Sequence, residues 1–263
     1  MNIVVLPAFD RWSLAWPLAK KELLGRYRGS VGGLAWALVT PLLMVTVYAL
    51  VFQIVFKARW AGADVGGLGY ALRLFAGLIV FTGCAEVATR ATRLIQDNAS
   101  LVKRVVFPLE VLGVALVLQS AVHAILQTLV LGAVLAFTDG PRWSWFWLSI
   151  AWVWVLAFQL ALAWLLAALG CYLRDLQHIV PAIVSGLLFL SPVFYPLDAA
   201  PPALKLLLLF NPLTAPIELM RAAWFGGSYN WAGAWPALLA VAAMLVISRW
   251  LFERARPGFA DLV

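Results

Sequence analysis

Three polar side chains, Gln119, His123 and Gln127, recur every fourth residue in a stretch apolar enough to cross a membrane, with Ser120 and Thr128 beside them. On a helix this spacing gathers the amides and the imidazole on one face. Polar groups at membrane depth are costly and therefore informative. The stripe has two readings. It lines a water-filled lumen that contacts a hydroxyl-rich substrate, or it makes interhelical hydrogen bonds of under ~2 kcal/mol each. Glu86 and Arg90, also four apart, read most simply as a structural ion pair near the inner membrane surface. Tyr48, Phe52 and Phe56 form a stripe of rings. With Trp147, Trp154 and Phe158 they could stack on the C–H faces of sugars; packing and interfacial anchoring are the alternative.

Catalytic patterns are absent from the sequence: no Gly-x-x-x-x-Gly-Lys-Ser/Thr loop, no His-Glu-x-x-His, no Gly-x-Ser-x-Gly and no Cys-x-x-Cys. His123 and His178 fall in separate segments, as do Cys84 and Cys171, so neither a metal set nor a disulfide framework is expected. This is not the sequence of an enzyme acting on lipid-linked sugar, which needs an acid–base or metal cluster. Nor does it show the inverted repeats and mid-membrane helix breaks of an ion-driven carrier. If the chain moves something uphill, the energy comes from a partner.

The elements that carry these residues follow from composition. Of 263 residues 64% are hydrophobic and 12% charged, with a net charge of +7 and a mean hydropathy of +0.94. Soluble domains are not built this way. The reading is an all-α polytopic membrane protein with little mass outside the bilayer and one transmembrane domain over 1–263. Six spans are expected, at 31–56, 71–93, 109–137, 143–169, 179–197 and 231–251. Residues 1–6 are apolar but lack a basic flank and a cleavage site, so no removable signal peptide is expected. Residues 12–28 read as an amphipathic interface helix. Trp12, Trp16, Ala19, Leu23 and Tyr27 share a face, while Lys20, Lys21, Arg26 and Arg28 supply the basic side. Pro17 fits such a helix only in its first turn.

Between spans five and six the pattern changes. Ser191-Pro192-Val193-Phe194-Tyr195-Pro196 and Pro201-Pro202 precede two short apolar pieces, divided at Asn211-Pro212-Leu213-Thr214. Eight helical residues reach only ~12 Å, well short of the ~20 residues a span needs. Both pieces are too apolar for a water-exposed loop. The segment 201–225 is therefore expected to be a re-entrant helical hairpin that dips into the outer leaflet and returns. The loop 96–108 should hold a short helix, capped by Asp97, Asn98 or Ser100 and ended by Pro108. Most of the 19 Lys and Arg lie in the N-terminal segment, this loop, the Cys171–His178 turn and the C-terminal tail. The positive-inside rule then places both termini in the cytoplasm. Lys20, Lys21, Arg26, Arg28, Arg90 and Arg93 would sit where an incoming diphosphate headgroup passes, or would bind anionic lipid.

Four stretches, in order along nearly the whole chain, resemble the membrane subunits of ABC-2-type polysaccharide exporters, which move O-antigen, capsule or teichoic-acid chains. They are Arg26-Tyr27-Arg28-Gly29-Ser30-Val31-Gly32-Gly33-Leu34-Ala35-Trp36 with Pro41; Asn98 to Glu110; Arg174-Asp175 to Pro181 with Ser191 to Pro196; and Phe210 to Thr214 with Glu218 and Arg221. The resemblance implies a homodimer with two copies of a separate P-loop ATPase, which would hold the ATP and magnesium; this chain would bind no cofactor. It implies ATPase coupling through Asn98, Ser100, Leu101, Val102, Lys103, Arg104, Val105 and Phe107, with Arg174 and Asp175. It implies an outer gate at Pro192, Tyr195, Phe210, Asn211, Pro212, Glu218 and Arg221. The implied cargo is a lipid-linked polysaccharide, O-antigen first and on an undecaprenyl carrier, carried across the inner membrane with no nucleic acid involved. Capsule, teichoic acid, or a lipid or drug cargo is the alternative. Val102→Asp is expected to uncouple ATP hydrolysis from export.

Overall fold

The computed structural model describes residues 8–51, 66–103 and 107–262. Among these, every regular element is helical. The helices are α1 (Ala8–Tyr27), α2 (Trp36–Leu50), α3 (Gly66–Ala91), α4 (Leu94–Asp97), α5 (Ala99–Val102), α6 (Glu110–Thr138), α7 (Trp147–Tyr172), α8 (Leu176–Phe189), α9 (Pro202–Phe210), α10 (Thr214–Phe225), α11 (Trp231–Ala255) and α12 (Phe259–Leu262). Short 3-10 turns lead into α2, α7, α9 and α12.

Four helical stretches among the described residues are long and apolar enough to cross a membrane: 68–91, 110–138, 143–172 and 231–262. α2 and α8 are apolar but shorter. The first expected span, 31–56, is represented by α2 after a 3-10 turn at Gly33–Ala35; Phe52 and Phe56 lie outside the described residues. The fifth, 179–197, differs more. α8 has 14 residues, or ~21 Å of helix. It stops at Phe189 because Pro192 and Pro196 cannot continue it, and the Asn211 side chain takes the Leu190 carbonyl at 3.0 Å.

α3 is the hub. It packs against α2, α6, α7, α8 and α10, with Leu74, Ala76, Val80, Val87 and Ala91 fully buried. Its sequence has the lowest hydropathy of the four long stretches and the highest burial. A helix with neighbours on every side needs small residues for close approach. Gly77 and Gly83 serve this purpose, facing Arg221 and Gln159. α11 runs along α7, and α1 lies along α6.

Two buried clusters mark the two ends of the bundle. One joins Leu94, Ile95, Val102, Leu112, Cys171, Phe252 and Phe259, with Leu18 of α1 against it. The other joins Leu74, Val193, Leu213, Ile217 and Trp224 with the aromatic belt of Trp145 and Trp231. α1, the α4–α5 turn and residues 255–262 thus gather at one end. α10 and the 139–146 and 226–230 turns gather at the other. α2 buries Ala37, Pro41 and Val45 and exposes Leu38, Leu42, Leu43 and Val47; for a helix in lipid such a face needs no cover.

α1 corrects two expectations. It begins at Ala8, so Pro17 is in its middle rather than in its first turn. The exposed side carries the proline, where the freed carbonyl can be met by water or headgroups. The buried face is Ala15, Ala19 and Leu23, whereas Trp16 is exposed.

Candidate functional site

At the junction of α1, α3 and α6 the structure assembles one charged network. The Glu86 carboxylate accepts from Arg26 at 2.6 Å and from Arg90 at 3.4 Å. His123 Nδ1 lies 4.0 Å from Glu86 and 3.3 Å from Arg26. Arg90 donates on to Gln119 at 2.5 Å and to Glu22 at 2.5 Å. The pair read from spacing is therefore one edge of a six-residue cluster. Two arginines face two carboxylates, so with neutral His123 the charge balances. The two arginines and two carboxylates are 22% to 41% exposed, so no single pair is worth much. Together they tie α1 to α3 and α6.

A cavity of about 180 Å³ opens beside the network, lined by Arg26, Trp36, Thr82, Glu86, His123 and Gln127 among others. Residues expected in two separate roles meet here: Arg26 and Arg90 at the headgroup site, and Gln119, His123 and Gln127 along a lumen. Gln119 is fully buried and serves as an acceptor between helices. Lys20, Lys21, Arg28 and Arg93 are exposed, and Arg93 pairs with Asp97 at 3.7 Å. Glu22 was not legible as a site residue. Its partner is 68 positions away, and no local spacing names it. Changing Glu22→Gln and Glu86→Gln together is expected to loosen α1. Amide exchange over 8–27 should quicken several-fold while the global melting midpoint barely moves. Unchanged exchange would show that the network does not anchor the helix.

The rings divide. Trp154 and Phe158 are buried in the core. Tyr48 is half-buried against it. Trp147 is exposed and packs on Trp231, ring centroids 5.1 Å apart.

At the opposite end, Arg221 organises the hairpin. It is buried and donates to the carbonyls of Val193 at 2.6 Å, Arg73 at 3.2 Å and Tyr195 at 3.5 Å, and to the Glu218 carboxylate at 2.8 Å. A planar guanidinium can serve several acceptors at once. Asn211 closes the turn: its amide donates to the Leu190 carbonyl and to Ser191 Oγ at 2.8 Å, and its oxygen accepts from Leu213 N at 2.9 Å. Tyr70 of α3 donates to the Phe194 carbonyl at 2.6 Å. Pro192 is buried, while Phe210 and Pro212 are exposed. A cavity of about 440 Å³ separates the hairpin from the start of α11, lined by Arg73, Asp198, Thr214, Glu218 and Tyr229 among others. Burial there, then the nearby Glu218 charge, pushes the Tyr229 phenol up to about 12, so it stays protonated across physiological pH.

At the end that holds α1, α4 and α5 form the 94–102 turn. Neither helix carries a side-chain N-cap. Asn98 instead donates back to the Leu94 carbonyl at 2.9 Å, closing α4 rather than opening α5. Val102 is buried in the chain's own core, and Leu101 and Phe107 are half-buried. Of the residues expected to couple to the ATPase, Ser100 and Lys103 point outward, beside exposed Asp97; Arg104 and Val105 lie outside the described residues. Arg174 and Asp175 are exposed in the turn before α8. No group of three metal-ligating side chains occurs among the described residues.

Residues 14–225 match the family model of the ABC-2 type transporter. The O-antigen export system permease protein RfbA of Myxococcus xanthus is 30% identical over 94% of each chain. RfbA of Klebsiella pneumoniae is 24% identical over 94% of this chain and 93% of its own length. The capsule polysaccharide export inner-membrane protein CtrC of Neisseria meningitidis serogroup B is 23% identical over 92% of this chain and 90% of its own.

Proposed function

The chain belongs to the ABC-2 type transporter family, and from that membership we propose that it is the multi-pass inner-membrane permease of an ATP-driven polysaccharide exporter. It conducts cargo and catalyses no reaction of its own. The observation that carries this reading is the similarity to an O-antigen export permease over 94% of both chains. An O-antigen-type glycan on a lipid carrier is the first cargo. A capsule glycan is the second, favoured by the likeness to CtrC.

Six crossings are proposed, the four long stretches together with α2 and α8, and both termini face the cytoplasm. Two copies form the conduit. Each pairs with a separate P-loop ATPase that binds ATP and magnesium, and α4–α5 receives its stroke through Ser100 and Lys103. The α9–α10 hairpin lies in the outer leaflet as the gate. The cavity beside Arg26, Glu86 and His123 receives the carrier's diphosphate as it comes in from the cytoplasmic side. Because that network is charge-balanced, an arriving phosphate must compete with Glu86 for Arg26, which favours a transient site over a tight one.

Val102 faces inward, so Val102→Asp probes packing before it probes docking. The cleaner test reverses the exposed face of α5 with Ser100→Asp and Lys103→Glu. The chain should insert at normal level while surface polysaccharide falls several-fold. Normal surface polysaccharide would refute docking at α5. A deletion strain that keeps all its surface polysaccharide would refute the cargo.

A further inference from the structure

A short charged segment after a last span is ordinarily frayed and solvated. Here it is fastened at three points. α11 ends at Ala255, a 3-10 turn covers Arg256–Gly258, and α12 follows. Phe259 is fully buried, its ring edge-on to Phe252 with centroids 5.3 Å apart and tilted against Tyr172 at 6.3 Å. The Tyr172 hydroxyl donates to the Ala255 carbonyl at 2.9 Å. Arg256 donates to the Phe107 carbonyl at 3.1 Å and lies 3.7 Å from the Glu110 carboxylate. α12 packs on α5 and on α7.

These contacts converge on one place. Phe107 and Glu110 are where the chain leaves the α4–α5 turn for α6. Tyr172 is the last residue of α7, just before the Arg174–Asp175 turn. Phe259 shares a buried cluster with Leu94, Ile95 and Val102. Gly258 carries no Cβ, and one placed there would overlap the Tyr172 hydroxyl, so the approach is close by construction. A tail that only covered apolar surface would need Phe259 alone. Arg256 and Tyr172 add directional contacts at both flanks of the docking turn, and Gly258 leaves room for the second.

We propose that residues 255–262 are a clamp that joins the α4–α5 turn to the inner ends of α6, α7 and α11, so that a push on α5 moves these helices as one body. Arg256 and Phe259 are positioning residues for coupling, and the outer face of α12 extends the surface offered to the ATPase. This rests on the docking role proposed for α5. The physical requirement is a contiguous, stiff contact path between the docking face and the spans. The buried ring and the two polar ties supply one.

The test uses the intact permease–ATPase pair in membranes and reads three quantities: permease level, ATPase co-purified, and polysaccharide exported per ATP hydrolysed. Gly258→Ala is expected to leave the first two near wild type and to lower the third several-fold. Adding Tyr172→Phe removes the overlapping hydroxyl but also its tie to Ala255, and should restore only part of it. Arg256→Glu should lower export per ATP in the same way, and Arg256→Glu with Glu110→Arg should recover it. The charge pair serves if Gly258→Ala is lost from the membrane, because Arg256 is exposed and Glu110 is not fully buried. Wild-type export per ATP in Gly258→Ala or Arg256→Glu, at wild-type level, overturns the clamp. So does loss of export that neither second change relieves. If the Ser100→Asp, Lys103→Glu variant stops export while the clamp variants are silent, only the clamp fails. If that variant exports normally, the docking role of α5 fails first.

Discussion

Replacing Arg221 with methionine is expected to cost about 3–5 kcal/mol, the usual penalty for stranding one half of a buried ion pair. The loss is compound. Three carbonyls, those of Val193, Arg73 and Tyr195, lose their donor. Glu218, on the lining of the larger cavity, is left with its counter-ion gone. Arg221→Lys should rescue little, since one ammonium cannot spread over acceptors that a planar fork reaches from different directions. Arg221→Met with Glu218→Leu should recover part of the loss by removing the stranded carboxylate. The readout is the melting midpoint of the purified permease together with surface polysaccharide. A wild-type midpoint in Arg221→Met would show that the arginine does not hold the hairpin to α3.

The second large effect is at Gly170. A Cβ there would run into the carbonyl of Thr92, where α7 passes the end of α3 backbone to backbone. Backbone cannot swing aside as a side-chain tip can, so Gly170→Ala is expected to destabilise by about 3 kcal/mol, the upper part of the usual overpacking range. Gly186 on α8 is the control, because nothing lies within 4 Å of the same atom. Gly186→Ala should be neutral or stabilising by about 0.5–1 kcal/mol. Equal midpoints for the two variants would exclude the close approach. Membrane insertion is scored separately from melting, so that loss of protein is not read as loss of stability.

The long apolar runs were legible because membrane helices announce themselves in hydropathy. The two short helices were legible because Pro201-Pro202 and Asn211-Pro212 punctuate pieces too short to cross; α9 and α10 occupy 202–210 and 214–225. What failed was information about direction. α7 is apolar around its whole circumference, so spacing could not say that Trp154 and Phe158 turn inward while Trp147 does not. Glu86 and Arg90 were visible as neighbours, but Glu22 was not, because one chain alone does not reveal which interface-helix carboxylate meets α3. Val102, expected at the docking face, is buried in the chain's own core, which spacing in a four-residue helix does not foretell. The tail read as a charged stub because Phe259 has no periodic partner in its short segment.

The brevity of α8 has a consequence for the lipid around it. As the crossing proposed above, its ~21 Å of helix would meet a hydrocarbon layer of ~30 Å. The rings of Phe189 and Phe210 at that end are exposed. If α8 crosses as proposed, acyl chains bordering this flank shorten or tilt, and the two leaflets are drawn together there. A hydrophilic polymer threaded along this side would meet a dielectric barrier about a third thinner than elsewhere in the same bilayer.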